Sequence, residues 1–155
     1  MDCNRPRRTF FQSIHKWAHS TTDAIELIRA YYDAFNKGDA QGMLDLLAED
    51  VVHEPSQGAP RHGKLQFAAF LEHMNRSYRE KVIDPVLMGT PDGTRAAAEF
   101  MLEGEYLQTD ADLPPASGQR YKLRVGAFFL VESGLIRRVS NHYNLADWIA
   151  QVEGR

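Results

Sequence analysis

The chain has 155 residues, 43% of them hydrophobic and 25% charged, a balance that fits one globular domain able to bury a core. Its net charge is −3, but residues 1–20 carry +3, so the rest carries −6 and is a poor candidate for binding nucleic acid through phosphates. The one cysteine, Cys3, excludes an intrachain disulfide and a thiolate metal cluster, and fits a cytoplasmic protein. No apolar run is long enough to span a bilayer; the nearest candidate, 125–131, has the length of a strand.

Residues 1–21 read as a basic extension. Arg7-Arg8-Thr9-Phe10-Phe11 resembles a twin-arginine export signal, but the segment after it is too polar to be the apolar core of a signal peptide. Phe10 or Phe11, Ile14 and Trp17 fall at helical spacing, which predicts a short amphipathic helix packed on the domain or on a partner subunit. The domain itself is expected over 22–153. Asp23 and Glu26 form a capping-box pattern, and Ile25, Ile28, Tyr32 and Phe35 keep helical spacing until Gly38. Asp39 can cap a second helix with Met43, Leu44 and Leu47 on its apolar face.

Residues 50–63, DVVHEPSQGAPRHG, form the stretch in which the chemistry is expected. Val51 and Val52 open a short β-run, and Pro55 stops it because proline has no N–H for a ladder and holds the preceding residue extended. Glu54 is thus the last side chain of a strand on a stiffened backbone, where a carboxylate can be placed accurately and still be reached. Gly58, Pro60 and Gly63 then reverse the chain. A third helix follows from about Lys64, with Phe67, Phe70, Leu71, Met74 and Tyr78 as a core stripe.

From Val82 the period changes to two. Segments 82–88, 95–107, 121–131 and 135–143 read as strands, separated by Pro91-Asp92-Gly93, a loop over 108–119, and Ser133-Gly134, and are expected to form an antiparallel meander. A helical turn at 147–152 closes the chain. Helices followed by strands predict an α+β fold in which a curved sheet wraps over helices.

The run YYDAFNKGDAQGMLDLLAEDVVHEPSQGAPRHG, residues 31–63, together with this order of elements, resembles the nuclear-transport-factor-2-like superfamily and within it the ketosteroid isomerase and SnoaL-like (polyketide cyclase) group. The resemblance covers about 22–150. It implies a cone-shaped fold, with three N-terminal helices packed in a strongly curved antiparallel sheet around an apolar pocket, and a homodimer formed through the outer sheet face. It places Glu54 on the isomerases' general base, Tyr31 on their oxyanion-hole tyrosine, and Ala127 where they carry a protonated aspartate as second donor. The absence of that donor corresponds to about 3–4 kcal/mol of transition-state stabilisation, so an efficient steroid isomerase is not expected.

With Ala127 inside, alternation turns Val125 and Phe129 inward and Gly126, Phe128 and Leu130 outward. The same comparison puts Glu99, Met101, Val139, Asn141 and Tyr143 inside, and turns His53 and His142 away from the pocket. The expected site is therefore Glu54 as base, Tyr31 as oxyanion donor and Glu99 as acid. Asn141 and Tyr143 would orient a carbonyl or hydroxyl among walls that include Met101, Phe129 and Val52. A one-residue slip would reverse every assignment on a strand, and would make His142 the alternative acid or base.

There is no phosphate-binding glycine loop, no GxSxG elbow and no HExxH, and the six histidines are too scattered for a preformed metal site. The expected chemistry is cofactor-independent and metal-free: proton abstraction from an apolar carbonyl compound, leading to isomerisation or cyclisation. Two other readings stay open at this level, water addition to an epoxide or alkene in the same pocket, and a non-catalytic module that binds a small molecule.

Overall fold

In the computed structural model, which describes residues 21–155, α1 spans Thr21–Lys37 and buries Ala24, Ile28, Tyr31 and Tyr32 along one stripe. The extension at 1–20, with the amphipathic helix expected there, lies outside the described residues. Gly38 ends α1 with a positive φ of 69°, a conformation open to glycine at little cost, and Asp39 N–H bonds back to Ala34 O at 2.9 Å. Asp39 then caps α2 (Ala40–Leu44), its carboxylate accepting from Gly42 N–H at 2.8 Å. The Asn-x-Gly-Asp run thus turns one helix directly into the next.

Six strands follow or interleave: β1 Leu47–Glu54, β2 Arg61–His62, then α3 Gly63–Ser77, β3 Tyr78–Gly89, β4 Arg95–Tyr106, β5 Gln119–Glu132 and β6 Leu135–His142, with α4 Leu145–Val152 closing the chain. They form one sheet in the order β2-β1-β6-β5-β4-β3. The expected meander is present as the antiparallel pairs β3–β4, β4–β5 and β5–β6. Two boundaries differ from the sequence reading. Leu47 opens β1 rather than lying on α2, and Tyr78 opens β3 rather than closing α3. The sheet is also mixed, because β1 lies parallel to β6.

Curvature comes from an identifiable break. The β3–β4 register shifts between Ile83 and Val86, where Asp84 takes a φ of 48° and Pro85 has no N–H for the ladder. Asn36, at the C-terminal end of α1, grips the strand just before this break: its Nδ2 donates to Val82 O at 2.9 Å and its Oδ1 accepts from Val82 N–H at 2.8 Å. One side chain thereby replaces both ladder bonds of a strand residue, at about 1 kcal/mol each, and fixes the helix to the edge of the sheet. The inner face of β5 (Leu123, Val125, Ala127, Phe129, Val131) is almost wholly buried over the helices, while Phe128 on the outer face is 54% exposed. None of the described helices is long and apolar enough to cross a membrane.

Candidate functional site

Between the helices and the inner sheet face lies a cavity of about 1380 Å³. Apolar walls come from Phe35, Met43, Phe70, Leu71, Phe100 and Val125, and polar tips from Tyr31, His53, Glu80, Tyr121, Asn141 and Tyr143. Charged side chains, among them Arg61, Arg79, Lys81, Glu103, Glu105, Arg120 and Lys122, share the lining with these walls, and the volume exceeds the roughly 300–1,000 Å³ typical of small-molecule sites.

Three of the residues expected from the sequence line this space. Tyr31, on α1, is buried with its ring edge against Phe129 and Tyr32, and burial raises its pKa, so the phenol stays protonated and remains a hydrogen-bond donor. Asn141, on β6, sits 3.1 Å from His53 through its side-chain nitrogen. Tyr143 follows β6 and has its pKa raised first by burial and then by the charges of Glu80 and Asp110. Phe129 faces inward as expected but belongs to the packed core beneath Tyr31 and Tyr32 rather than to the cavity wall.

The other expected positions are corrected by strand register. Antiparallel pairing sets Ala98 opposite Ala127 and Phe100 opposite Val125, so these share the inner face, and Glu99 and Met101 belong to the outer one. Glu99 has a side chain 51% exposed and an ion pair with Arg124, a solvated cross-strand pair instead of an acid in the pocket. On β1 the phase is likewise reversed: Val51 and His53 are buried at 0% and 1% exposure, while Val52 and Glu54 are partly exposed and alternate to the other face. Pro55 and His53 line the cavity on either side of Glu54. His142 does point outward, against Phe128 and Ser140, as expected.

His53 is therefore a site residue that the sequence reading turned the wrong way. Its ring lies 4.4 Å from Phe70 and 5.0 Å from Phe67, centroid to centroid, and the Arg61 guanidinium lies over the Phe70 ring at 4.6 Å from its centroid. Burial, and then the Arg61 charge, lower its pKa from 6.5 to about 4, so it is a neutral imidazole at neutral pH. Glu80, Tyr121, Tyr78, Asp110 and His73 form a second polar group on the cavity lining. Within it Asp110 meets His73 at 2.9 Å and accepts from Tyr78 Oη at 2.8 Å. Among the described residues no group of three or more His, Cys, Asp or Glu side chains is arranged to hold a metal ion.

The family model for SnoaL-like domains matches residues 28–139. A candidate polyketide cyclase from Pseudomonas putida KT2440 is 55% identical, with 83% of this chain and 97% of that chain covered at a TM-score of 0.82. Another from Xanthomonas campestris pv. campestris is 51% identical, with coverages of 85% and 98% and a TM-score of 0.83. An LEH-like epoxide hydrolase from M. tuberculosis, 19% identical with coverages of 86% and 92% and a TM-score of 0.65, shares the fold alone. No curated protein matches the chain.

The lowered pKa of His53 sets a pH dependence of stability. An unfolded chain takes up a proton at this histidine below about 6.5, whereas the folded protein does so only near 4, so the folded state is fully favoured above 6.5 and loses stability as pH falls through that window. Between pH 7 and 5 the unfolding free energy is expected to drop by about 2 kcal/mol on account of this residue. Urea unfolding at the two pH values should show a correspondingly smaller drop in His53→Gln; an identical drop in both proteins would contradict the placement.

Proposed function

The chain belongs to the SnoaL-like domain family, and from that premise we propose that it is a small cofactor-independent isomerase- or cyclase-like protein acting on an apolar carbonyl compound by proton transfer. The observation that carries this reading is the cavity: about 1380 Å³, with apolar walls on one side and, facing them, Tyr31 and His53, whose charged forms are disfavoured by burial. In this reading Tyr31 donates to the oxygen on which negative charge develops, while Asn141 and Tyr143 orient the carbonyl. Ala127 is wholly buried on the inner face and offers no second donor there; the neutral His53–Asn141 pair is the nearest substitute in kind. Glu54, the base assigned from the sequence, is not on the cavity lining, so turnover that survives Glu54→Gln is compatible with this reading.

The ligand class is open to a direct test. In a thermal-shift screen against steroids, polyketide-like aromatics and terpenoids, carbonyl-bearing members should raise the melting temperature by several degrees. A ligand at 100 times its Kd contributes about 2.7 kcal/mol, and each kcal/mol moves a domain of this size by roughly 2–4 °C. No shift with any of the three classes would sink the reading.

We also propose that a second copy of the chain covers the outer sheet face. Met88, Ala97 and Phe128 stand in one cross-strand row, and Val86, Met88 and Phe128 are 58%, 46% and 54% exposed. A two-fold axis brings such a patch against itself. Light scattering should give a dimer for the native chain and a monomer for Phe128→Glu; a native monomer at micromolar concentration would exclude it.

A further inference from the structure

The cavity contains a carboxyl group that neither the Glu54 nor the Glu99 assignment anticipates. Glu80 on β3 pairs in register with Gly104 on β4, and Gly104 pairs with Tyr121 on β5, so the three form one row across the sheet. The middle position has no side chain. A Cβ on Gly104 would stand 2.2 Å from Cζ of Tyr121, which means that the phenol ring occupies the space above β4 and reaches over it. At the end of that reach the Tyr121 hydroxyl donates to Oε1 of Glu80. All three residues line the cavity. Among the described residues Glu80 belongs to no ion pair, and its side chain stays partly accessible from the cavity. Asp110, the other carboxylate near this end, is already engaged by His73 and Tyr78.

We propose that Glu80 is the proton-transfer residue of this cavity, acting on the carbon next to the carbonyl of a bound apolar ketone, with Tyr121 as its positioning residue across the gap left by Gly104. The proposal rests on the reading of the cavity as a site for carbonyl compounds. In the step, the Glu80 carboxylate takes the α-proton as the C–H bond breaks. The electron pair moves into the enolate, whose oxygen is held by phenol or amide donors. The carboxylic acid then returns a proton to carbon, so no oxidant, reductant or co-reactant is consumed.

The physical case has two parts. Geometry presents a carboxyl oxygen to the cavity at a fixed position, because a ring spanning three strands has little freedom to move. Burial raises the Glu80 pKa, with the Tyr121 bond pulling the other way, which makes the carboxylate a stronger base than an exposed glutamate. The ionisable groups sharing this end of the cavity are Tyr78 on the same strand, Tyr121 on β5, Asp110 in the β4–β5 loop, His73 on α3 and Tyr143 after β6, with Arg79, Lys81, Arg120 and Lys122 also on the lining. Arg79 and Lys122 are engaged by Glu105 and Glu103.

The test uses 2-tetralone, a fused-ring enolisable ketone, in D₂O, with loss of its α-proton signals followed by NMR and binding followed by saturation transfer. The native protein should bind the ketone and accelerate exchange above buffer. Glu80→Gln should still bind while exchange falls by ~100-fold or more. Exchange undiminished in Glu80→Gln would overturn the assignment while leaving the carbonyl-site reading intact, and binding without exchange in the native protein would also overturn it. A native protein that does not bind the ketone would overturn both. Tyr121→Phe provides a second readout that is independent of the first variant's folding. Removing the bond that lowers the Glu80 pKa should move the acid limb of the exchange–pH profile to higher pH, and an unmoved limb would count against the proposal.

Discussion

The fold depends on fixing one edge of a curved sheet to the helix it covers. That edge is β3, whose ladder breaks at Asp84–Pro85 and whose Val82, just before the break, is gripped through both backbone groups by Asn36 of α1. The bent sheet leaves about 1380 Å³ between Phe100, Val125 and the helices. Interior volume of this kind lowers packing density and therefore costs stability, which is offset where the sheet does close, in the aromatic cluster of Tyr31, Tyr32, Phe100 and Phe129.

A cavity with apolar walls then imposes its own electrostatics on whatever polar groups face it. Charged forms are disfavoured, so Tyr31 stays a phenol, His53 stays a neutral imidazole, and the Glu80 carboxyl is driven toward its protonated form. Tyr121 offsets part of that effect at Glu80 by donating to it, and it can do so only because Gly104 between them has no side chain. One backbone position thus links the sheet's register to the chemistry available inside it.

Much of this was legible from the sequence. The helix–strand order, the role of Asn36-x-Gly38-Asp39 as a turn, and the inward faces of β5 and β6 follow from spacing and resemblance: Ala127, Val125 and Asn141 face inward as expected, whereas Phe129 faces inward into the packed core and not onto the cavity wall. The phase of β4 does not follow from the resemblance, and the Ala96-Ala97-Ala98 run carries no alternation to set it; Glu99, Glu103 and Glu105 on one phase are the sequence signal for the outer face. β1 offered two adjacent valines and a proline, too little to fix which of His53 and Glu54 points inward. Glu80 falls between elements in the sequence, because helical spacing extends to Tyr78 and alternation is plain only from Val82, whereas β3 opens at Tyr78. Gly104, a glycine inside a strand pattern, was the visible sign that another group approaches the backbone there.

The most direct measurement of whether the cavity interior tunes its own polar groups is the titration of the Glu80 side-chain carboxyl by ¹³C NMR, assigned by comparison with Glu80→Gln. A midpoint clearly above the ordinary glutamate value of 4.5 is expected, because burial outweighs the Tyr121 hydrogen bond. A midpoint at or below 4.5 would mean that burial does not dominate at this carboxyl, and the picture of a cavity that tunes its own base would be contradicted.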